Sequence, residues 1–364
     1  MPMAPLTSKE RITRILKHQP VDRIGVYEHF WGDTHREWTT NQGCDPDFNK
    51  EFDFDMVEAW PINWAARLDF KAEVVAEDED TVTMLDANYA ILRRHKKHDT
   101  TPEHVAFGID TYEKWQELIK PLLEDEATFE RRINFEGYRN AKKYCEDTQK
   151  FFMWSGVNVF ECMHPIAGHE EMLAAMIYEP EWIHDMCETF ARLTVKAQKI
   201  LFEREGLPDG IWYYEDMGYK GAPFMSPKMY DEFIYPAHKL TFDYAKSLNL
   251  PVIVHSCGFV EPLLDGMIRA GMDALQVIEV KAGMDLLRIY ENHGDKIALI
   301  GGIDVREVYP NDLARIDAEL EKKIPVVMQN YGYVVHSDHS IPKTVDYETY
   351  KYFVKKALEL GTYK

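Results

Sequence analysis

The sequence predicts an α/β fold, a (β/α)8 TIM-type barrel, and two features of its pattern carry that prediction. From residue 151 onward, short apolar segments alternate regularly with helical segments. Several of the short segments, such as 252–254 and 297–300, contain only apolar residues. Such strands are typical of a parallel sheet that helices cover on both faces. Eight strands of this kind favour a closed barrel over the alternative, an open doubly wound sheet.

The predicted elements follow one another without a linker or low-complexity tract, so we expect a single domain over residues 1–364. Thr7 and Glu10 have the spacing of a capping box and predict a helical N-terminal elaboration ahead of the barrel. Residues 71–96 show two-residue alternation around an Asp-rich turn, which predicts an inserted antiparallel β-hairpin. The predicted barrel strands are 24–30, 56–60, 151–157, 210–215, 251–255, 274–279, 297–301 and 333–336.

Composition and charge exclude several classes of partner. The chain of 364 residues carries a net charge of −20, which argues against binding to the phosphate backbone of nucleic acid or to anionic lipid. No apolar run is long enough to span a bilayer, and the charged N-terminus does not look like a signal peptide. Five cysteines form no disulfide framework. We therefore expect a cytoplasmic protein that binds no membrane, and the sequence is compatible with a homodimer.

Chemically active side chains follow six of the predicted strands. Active sites of these barrels lie at the carboxyl ends of the strands, so residues from different strands meet there. The expected substrate-binding residues at this rim are Glu161, His164, Glu279, Asp304 and His336. For Glu161 and His164, which lie in an apolar stretch, a purely structural role is an equal alternative.

His255 and Cys257 form the best-marked pair on this rim. Residues two apart just after a strand point to the same side, and an imidazole with a thiolate suits Zn²⁺. A third donor is needed, and His339, Glu215, Asp216 or Glu279 could supply it. The alternative interpretation is a buried cysteine beside a hydrogen-bonded histidine.

The adjacent acids Glu215 and Asp216 are the predicted catalytic residues. Neighbours on an extended segment face opposite ways, so we expect only one of them to enter the barrel mouth as a general base or as an orienting group. The alternative is a solvated pair or a helix cap. Two histidines and an acid within residues 336–339 could likewise bind a metal or polarise a carbonyl, or simply begin a helix.

Five blocks of sequence, in order, resemble the uroporphyrinogen decarboxylase superfamily over nearly the whole chain. They are SKERITRILKHQPVDRIGV, YYEDMGYKGAPFMSPKMYDEFIYP, VIVHSCGFVEPLLDGMIRAGMDALQV, GGIDV and DHSIPKTVDYETY. The resemblance implies a (β/α)8 barrel. One branch of the superfamily decarboxylates a tetrapyrrole without metal and grips its propionates with arginines. Here the corresponding stretch, VYEHFWGDTHREWTT, offers only Arg36.

The other branch consists of zinc-dependent methyltransferases that exchange methyl groups with a corrinoid protein. Its motif, a His-x-Cys after strand five, is matched by His255 and Cys257, but the later cysteine of the motif has no counterpart here. Its position falls on His339, so the resemblance implies zinc bound by His255, Cys257 and His339. A set with one thiolate suits an oxygen substrate such as an aromatic methyl ether, whose methyl group would pass to a corrinoid carried by a partner protein. The alternatives are a metal-free decarboxylase and a non-enzymatic corrinoid-binding or ligand-binding barrel.

Overall fold

The computed structural model describes residues 4–97, 99 and 101–364, and its centre is a parallel sheet of eight strands. We label these strands β1 to β8 in chain order: Gly25–Val26, Met56–Ala59, Phe151–Val157, Gly210–Tyr214, Val252–Ser256, Ala274–Val277, Ala298–Gly301 and Tyr333–Val335. Neighbours pair in parallel in the order β2-β3-β4-β5-β6-β7-β8-β1. A backbone hydrogen bond of 2.9 Å from the Asp55 N–H to the Val26 carbonyl links the two outer strands. The predicted barrel is confirmed.

Helices follow the strands on the outside of the barrel. The longer ones are Ser8–Ile15, Gly32–Asn41, Phe135–Thr148, Val159–Ala167, His169–Tyr178, Pro180–Glu205, Tyr235–Ser247, Leu264–Ala270, Leu286–His293, Leu313–Val327 and Tyr347–Leu360. The first begins with the predicted capping box, since the Thr7 side chain accepts from the Glu10 N–H and Glu10 accepts from the Thr7 N–H. Both faces of the strands are buried, as their apolar sequences predict. No helix among the described residues is long and apolar enough to cross a membrane.

The insertion after β2 is larger than the predicted hairpin. It is a four-stranded antiparallel sheet, here called the inserted sheet, with strands Glu73–Glu77, Thr81–Leu85, Ala90–His95 and Glu103–Phe107 paired in sequence order. The prediction of one hairpin within 71–96 was therefore wrong in strand number. An isolated hairpin is marginally stable in water, whereas four strands share one ladder of hydrogen bonds. The last strand, Glu103–Phe107, lies at the edge of this sheet and carries His104.

Candidate functional site

The turn after β5 assembles a group of three potential metal donors, which we call the donor group: Asp216, His255 and Cys257. One donor atom from each lies within 4.8 Å of the other two. His255 Nε2 lies 3.4 Å from Cys257 Sγ and 3.3 Å from Asp216 Oδ1. A nitrogen, a sulfur and an oxygen donor at this spacing are a ligand set that Zn²⁺ accepts.

The structure brings Asp216 to this pair, whereas the choice of His339 as third donor stays a prediction. Among the described residues the donor group contains Asp216 and not His339. The His339 ring instead lies beside Trp31, at 5.8 Å between ring centroids. Asp216 reaches the group because it follows β4, the direct neighbour of β5 in the barrel. Its Oδ1 also accepts a 2.8 Å hydrogen bond from the Cys257 N–H, which fixes the carboxylate against the thiol turn.

Backbone contacts explain the remaining residues of the His-Ser-Cys-Gly turn. Ser256 Oγ accepts a hydrogen bond of 3.1 Å from the Met217 N–H. Gly258 has φ of +80°, and a Cβ built there would lie 2.2 Å from the carbonyl carbon of Gly218. Only glycine tolerates this combination of left-handed backbone and close approach. The turn after β5 is therefore locked onto the turn after β4, and the two turns carry the three donors.

The electrostatics of the donor group follow from its burial and from its own charges. Burial and the neighbouring Asp216 raise the pKa of Cys257 to about 11, although His255 opposes this effect. Burial lowers the pKa of His255, but Cys257 and Asp216 outweigh it and leave that pKa well above its usual value. Burial disfavours ionisation of Asp216, yet His255 and the Cys257 N–H hold its pKa below the usual range. The donor group therefore favours an ionised Asp216 carboxylate beside a protonated His255 ring.

Glu215, the other predicted catalytic acid, faces away from the donor group. It is fully buried, and its Oε1 lies 2.6 Å from Nε2 of His238. The His238 Nδ1 in turn lies 2.9 Å from the hydroxyl of Tyr230. The second carboxylate oxygen of Glu215 accepts a 3.0 Å hydrogen bond from the Glu161 N–H. Of the two adjacent acids, the structure turns only Asp216 towards the donor group, and Glu215 ties β4 to the surrounding helices.

Glu161 and His164 lie one layer behind the donor group. Glu161 Oε2 accepts a 3.3 Å hydrogen bond from the Asp216 N–H, and its Oε1 lies 2.9 Å from Nε2 of His164. Burial, with Asp216 and Glu215 nearby, raises the pKa of Glu161 well above its usual value. Burial lowers the pKa of His164 to about 4. Glu161 thus connects Asp216 to a histidine that is neutral at neutral pH.

Glu279 lies beside Cys257, but Asp304 has a different task. Glu279 Oε2 accepts a 2.7 Å hydrogen bond from the Gly258 N–H. Both Glu279 and Cys257 line a cavity of about 390 Å³, together with Gly218, Tyr219, Lys220, Gly258, Lys281, Ala282 and Arg306. Asp304 caps the helix Val305–Val308 and pairs with Arg306 through both carboxylate oxygens. Asp304 is not among the residues that line this cavity. It holds the side chain of Arg306, which does line the cavity.

His336 belongs to a polar network inside the barrel that the sequence analysis did not find. The Gln276 Oε1 contacts His255 Nδ1, and the Gln276 Nε2 lies 3.2 Å from His336 Nε2. His336 Nε2 lies 3.0 Å from His29 Nδ1, and His29 Nε2 lies 2.7 Å from Glu58. Gln276, a single amide in the otherwise apolar strand β6, was the available signal. By occupying Nδ1, Gln276 leaves His255 Nε2 facing Asp216 and Cys257.

A wall of aromatic rings leads from solvent to His255. Trp60 is 50% exposed, and its ring centroid lies 4.5 Å from that of Tyr214. The Tyr214 ring lies 4.6 Å from the His255 ring. The Tyr214 hydroxyl donates to Glu58 at 2.9 Å, which fixes the ring position. We refer to Trp60 and Tyr214 as the aromatic wall, and its two rings, tilted by 36° to each other, lie beside the donor group.

A second set of close donors consists of three histidines, which we call the histidine cluster: His104, His164 and His169. One ring nitrogen from each lies within 4.8 Å of the other two. His164 was predicted to bind substrate, whereas His104 and His169 were not identified from the sequence. Burial lowers the pKa of His104, and it lowers that of His169 to about 4.

The comparison with known protein families now has a structural context. The family described as uroporphyrinogen decarboxylase (URO-D) matches residues 153–360, a stretch that begins within β3 and contains β4 to β8 and the whole donor group. The chain belongs to the uroporphyrinogen decarboxylase family. No curated protein matches it.

One solved structure agrees with this fold along nearly the whole chain, and another matches only in part. A methyltransferase from Methanosarcina mazei superimposes with a TM-score of 0.68 at 16% identity, covering 97% of this chain and 99% of that one. A Xaa-Pro dipeptidase with methionine in its active site matches over 48% of each chain, with a TM-score of 0.28 and 13% identity. The first match shows that this member of the uroporphyrinogen decarboxylase family shares its fold with the archaeal protein along nearly its full length.

Proposed function

We propose that this protein is a zinc-assisted methyltransferase that moves a methyl group from a small oxygen-linked donor to a corrinoid carried by a partner protein. The observation that carries the proposal is the donor group, in which Asp216, His255 and Cys257 converge at the carboxyl ends of β4 and β5. A decarboxylase that works without metal has no need for a thiol and an imidazole at this spacing. The structural relative from Methanosarcina mazei is a methyltransferase, which supports the same activity.

The residues present fit a zinc ion. His255 would bind through Nε2, because Gln276 occupies Nδ1, and Cys257 and Asp216 would supply the other two protein ligands. Three protein ligands leave an open position, as catalytic zinc sites require. When bound, Zn²⁺ would act as a Lewis acid that polarises the donor oxygen. A single thiolate leaves the ion more electrophilic than two would, which suits an ether oxygen better than a thiol.

The proposed methyl transfer needs no reactant besides the methyl donor and the Co(I) corrinoid. The bond between the donor oxygen and its methyl carbon breaks, and the electron pair stays on the oxygen. The methyl carbon is attacked by Co(I) of the corrinoid, which we treat as the second substrate. The proposal includes a cytoplasmic setting, because Co(I) needs reducing conditions and all five cysteines of the chain are free.

We propose an aromatic methyl ether as the donor because of the aromatic wall. Trp60 presents half of its surface to solvent, and Tyr214 continues the wall to within 4.6 Å of the His255 ring centroid. Flat aromatic rings prefer offset or edge contacts with one another, at centroid distances of about 4.5–7 Å. Glu279 and the adjacent cavity of about 390 Å³ provide room on the other side of Cys257.

The test uses the purified full-length chain, an aryl methyl ether and free cob(I)alamin as the methyl acceptor. We expect about one zinc per chain at the donor group and zinc-dependent formation of methylcobalamin and the phenol. His255→Ala should abolish both, whereas His35→Ala, on the outer helix Gly32–Asn41, serves as a matched histidine control. An active wild-type chain with no metal at the donor group would contradict the role assigned to zinc.

The metal-free decarboxylase is the alternative that the same preparation tests. Tetrapyrrole propionates need free arginines, but the single arginine of the N-terminal stretch, Arg36, already pairs with Asp99 at 2.8 Å. Turnover of a porphyrinogen by chelator-treated protein, unchanged in Cys257→Ser, would replace the methyltransferase proposal by the decarboxylase.

A further inference from the structure

The histidine cluster joins three separate elements of the molecule. His104 lies on the edge strand of the inserted sheet, His164 lies in the helix Val159–Ala167, and His169 begins the helix His169–Tyr178. His164 and His169 stack at 4.3 Å between ring centroids, and His104 lies 5.9 Å from His164. The cluster is therefore the place where the inserted sheet meets the barrel helices through side chains of one chemical type.

His164 has one ring nitrogen beside a carboxylate and the other without a hydrogen-bond partner. Its Nε2 lies 2.9 Å from Glu161 Oε1, while its Nδ1 is buried and has no hydrogen-bond partner. Leaving a buried polar atom unsatisfied costs about 1–3 kcal/mol, so such an atom indicates a missing partner. A histidine that contacts a carboxylate through one nitrogen and offers the other is the usual arrangement around a protein metal ion.

The backbone brings the inserted sheet close enough for His104 to take part. Gly168, between the two helices, has φ of +74°, and a Cβ built there would lie 2.5 Å from the ring of Phe107. Phe107 lies on the same edge strand as His104, and the two rings are 5.3 Å apart. A residue other than glycine at 168 would push this strand away from His169.

The surroundings of the cluster favour ion binding over a simple stack of neutral rings. His169 also stacks on Phe224 at 4.7 Å, so apolar rings shield one side of the cluster from water. On the other side the Glu161 carboxyl group lies 2.9 Å from Nε2 of His164 and provides oxygen atoms beside the cluster. Stacking explains the contact of two rings, but neither the convergence of three ring nitrogens nor the unpartnered buried Nδ1 of His164.

We propose that His104, His164 and His169 form a second metal site, which binds Zn²⁺ or a similar divalent transition-metal ion and fastens the inserted sheet to the barrel. Neutral imidazole is the most common ligand for such ions, and three of them are a sufficient protein set for Zn²⁺. This site shares no ligand with the donor group and does not depend on the proposed methyl transfer.

The test counts metal in the full-length chain after chelation and reloading with Co²⁺ or Zn²⁺. We expect about two ions per chain in the wild type, about one in His104→Ala, about one in Cys257→Ser and none in the double variant. Co²⁺ also separates the sites spectroscopically, because a thiolate-to-cobalt charge-transfer band arises only where Cys257 is a ligand. His104→Ala should keep that band, and Cys257→Ser should lose it while still binding one ion.

His95→Ala provides the matched control, because it removes an imidazole from the neighbouring strand of the same inserted sheet. It should bind as much metal as the wild type, and circular dichroism should show that all variants are folded. In Cys257→Ser, Zn²⁺ should raise the melting temperature, and this shift should vanish when His104→Ala is added.

Two outcomes overturn the proposal: a folded Cys257→Ser chain that binds no ion, or one whose binding is unchanged by adding His104→Ala. If the wild type binds one ion that His104→Ala removes, and shows no thiolate band, the histidine cluster stands while the zinc of the proposed function fails.

Discussion

The donor group and the histidine cluster contain different types of metal-binding side chain, although they lie close together in the molecule. The donor group joins a carboxylate, an imidazole and a thiol on two adjacent barrel turns, and each donor is held by backbone or buried side-chain contacts. The histidine cluster consists of three imidazoles, and one of them sits on an edge strand of an insertion. The two sets also differ in position, since the donor group lies at the ends of two adjacent barrel strands, whereas the histidine cluster bridges the inserted sheet and two barrel helices and so suits a fastening role.

Glu161 is the residue that the two regions share. One of its oxygens accepts from the Asp216 N–H, and the other contacts His164. The comparison therefore predicts that substitutions within one region leave the other intact, except at Glu161. Substitutions at Cys257, Gln276 and Glu161 test this expectation. A substitution at Trp60 tests the aromatic wall beside the donor group.

Cys257→Ser should have the largest effect. Loss of an outer-shell partner alone costs about 10- to 100-fold in metal affinity or activity, so loss of the thiol ligand should cost more than about 100-fold in methyl transfer. Steady-state assays with the aryl ether and metal analysis measure this. Cys187→Ser, a buried cysteine outside both regions, is the control and should retain activity in its folded fraction. Activity within a few-fold of wild type in Cys257→Ser would remove the thiol from the mechanism.

Gln276→Leu should follow, with a loss of about 10- to 100-fold in zinc affinity at the donor group. Leu has nearly the same size but cannot accept a hydrogen bond from His255 Nδ1, so the imidazole loses its preferred orientation. Gln276→Glu keeps the acceptor and should restore most of the affinity. Competition with a chromophoric chelator gives the constants, and the histidine cluster should be unaffected. Equal affinities in Gln276→Leu and wild type would show that His255 is oriented by other contacts.

The contrast between the two regions also shows what the sequence could predict. The pairing of His255 with Cys257 is local, two residues apart after an apolar strand, so their position at the rim followed from the strand pattern. Asp216 could not be separated from Glu215, because the direction of each side chain depends on β4 lying next to β5. His339 was placed by counting along the chain, and such a count does not show which side chains converge in space.

Long-range contacts account for what was missed. Three strands of the inserted sheet lie within residues 71–96, where the prediction placed two, and the fourth lies beyond residue 96 and pairs with Ala90–His95. His104 and His164 are brought together across that insertion, and no local spacing connects them. By contrast, the eight barrel strands could be predicted because mostly apolar local segments indicate them.

Glu161→Gln should weaken zinc binding at the histidine cluster by about tenfold, near the lower limit for an outer-shell partner. Burial and neighbouring acids favour the protonated form of Glu161, which Gln resembles, but a dication beside His164 would favour the ionised form, which Gln cannot adopt. The effect on the donor group should be no more than a few-fold, because only a backbone contact to Asp216 is altered. Co²⁺ titration followed at the charge-transfer band and in the visible region measures both sites together. A loss confined to the donor group would show that Glu161 serves that region alone.

Trp60→Ala should have the smallest effect and should change KM for the aromatic donor rather than zinc content. An aromatic contact contributes about 0.5–1.5 kcal/mol beyond buried area, which corresponds to about 2- to 12-fold in KM. Trp60→Phe keeps an aromatic ring, so its KM should stay closer to the wild-type value. The kcat should change little, because Trp60 is not one of the three metal donors. Tyr178→Ala, a residue that is 59% exposed on the helix His169–Tyr178, controls for loss of a surface aromatic. If the two alanine variants behave alike with an aryl ether, the aromatic wall does not select the methyl donor, and the distinction between the donor group and the histidine cluster must rest on their ligands alone.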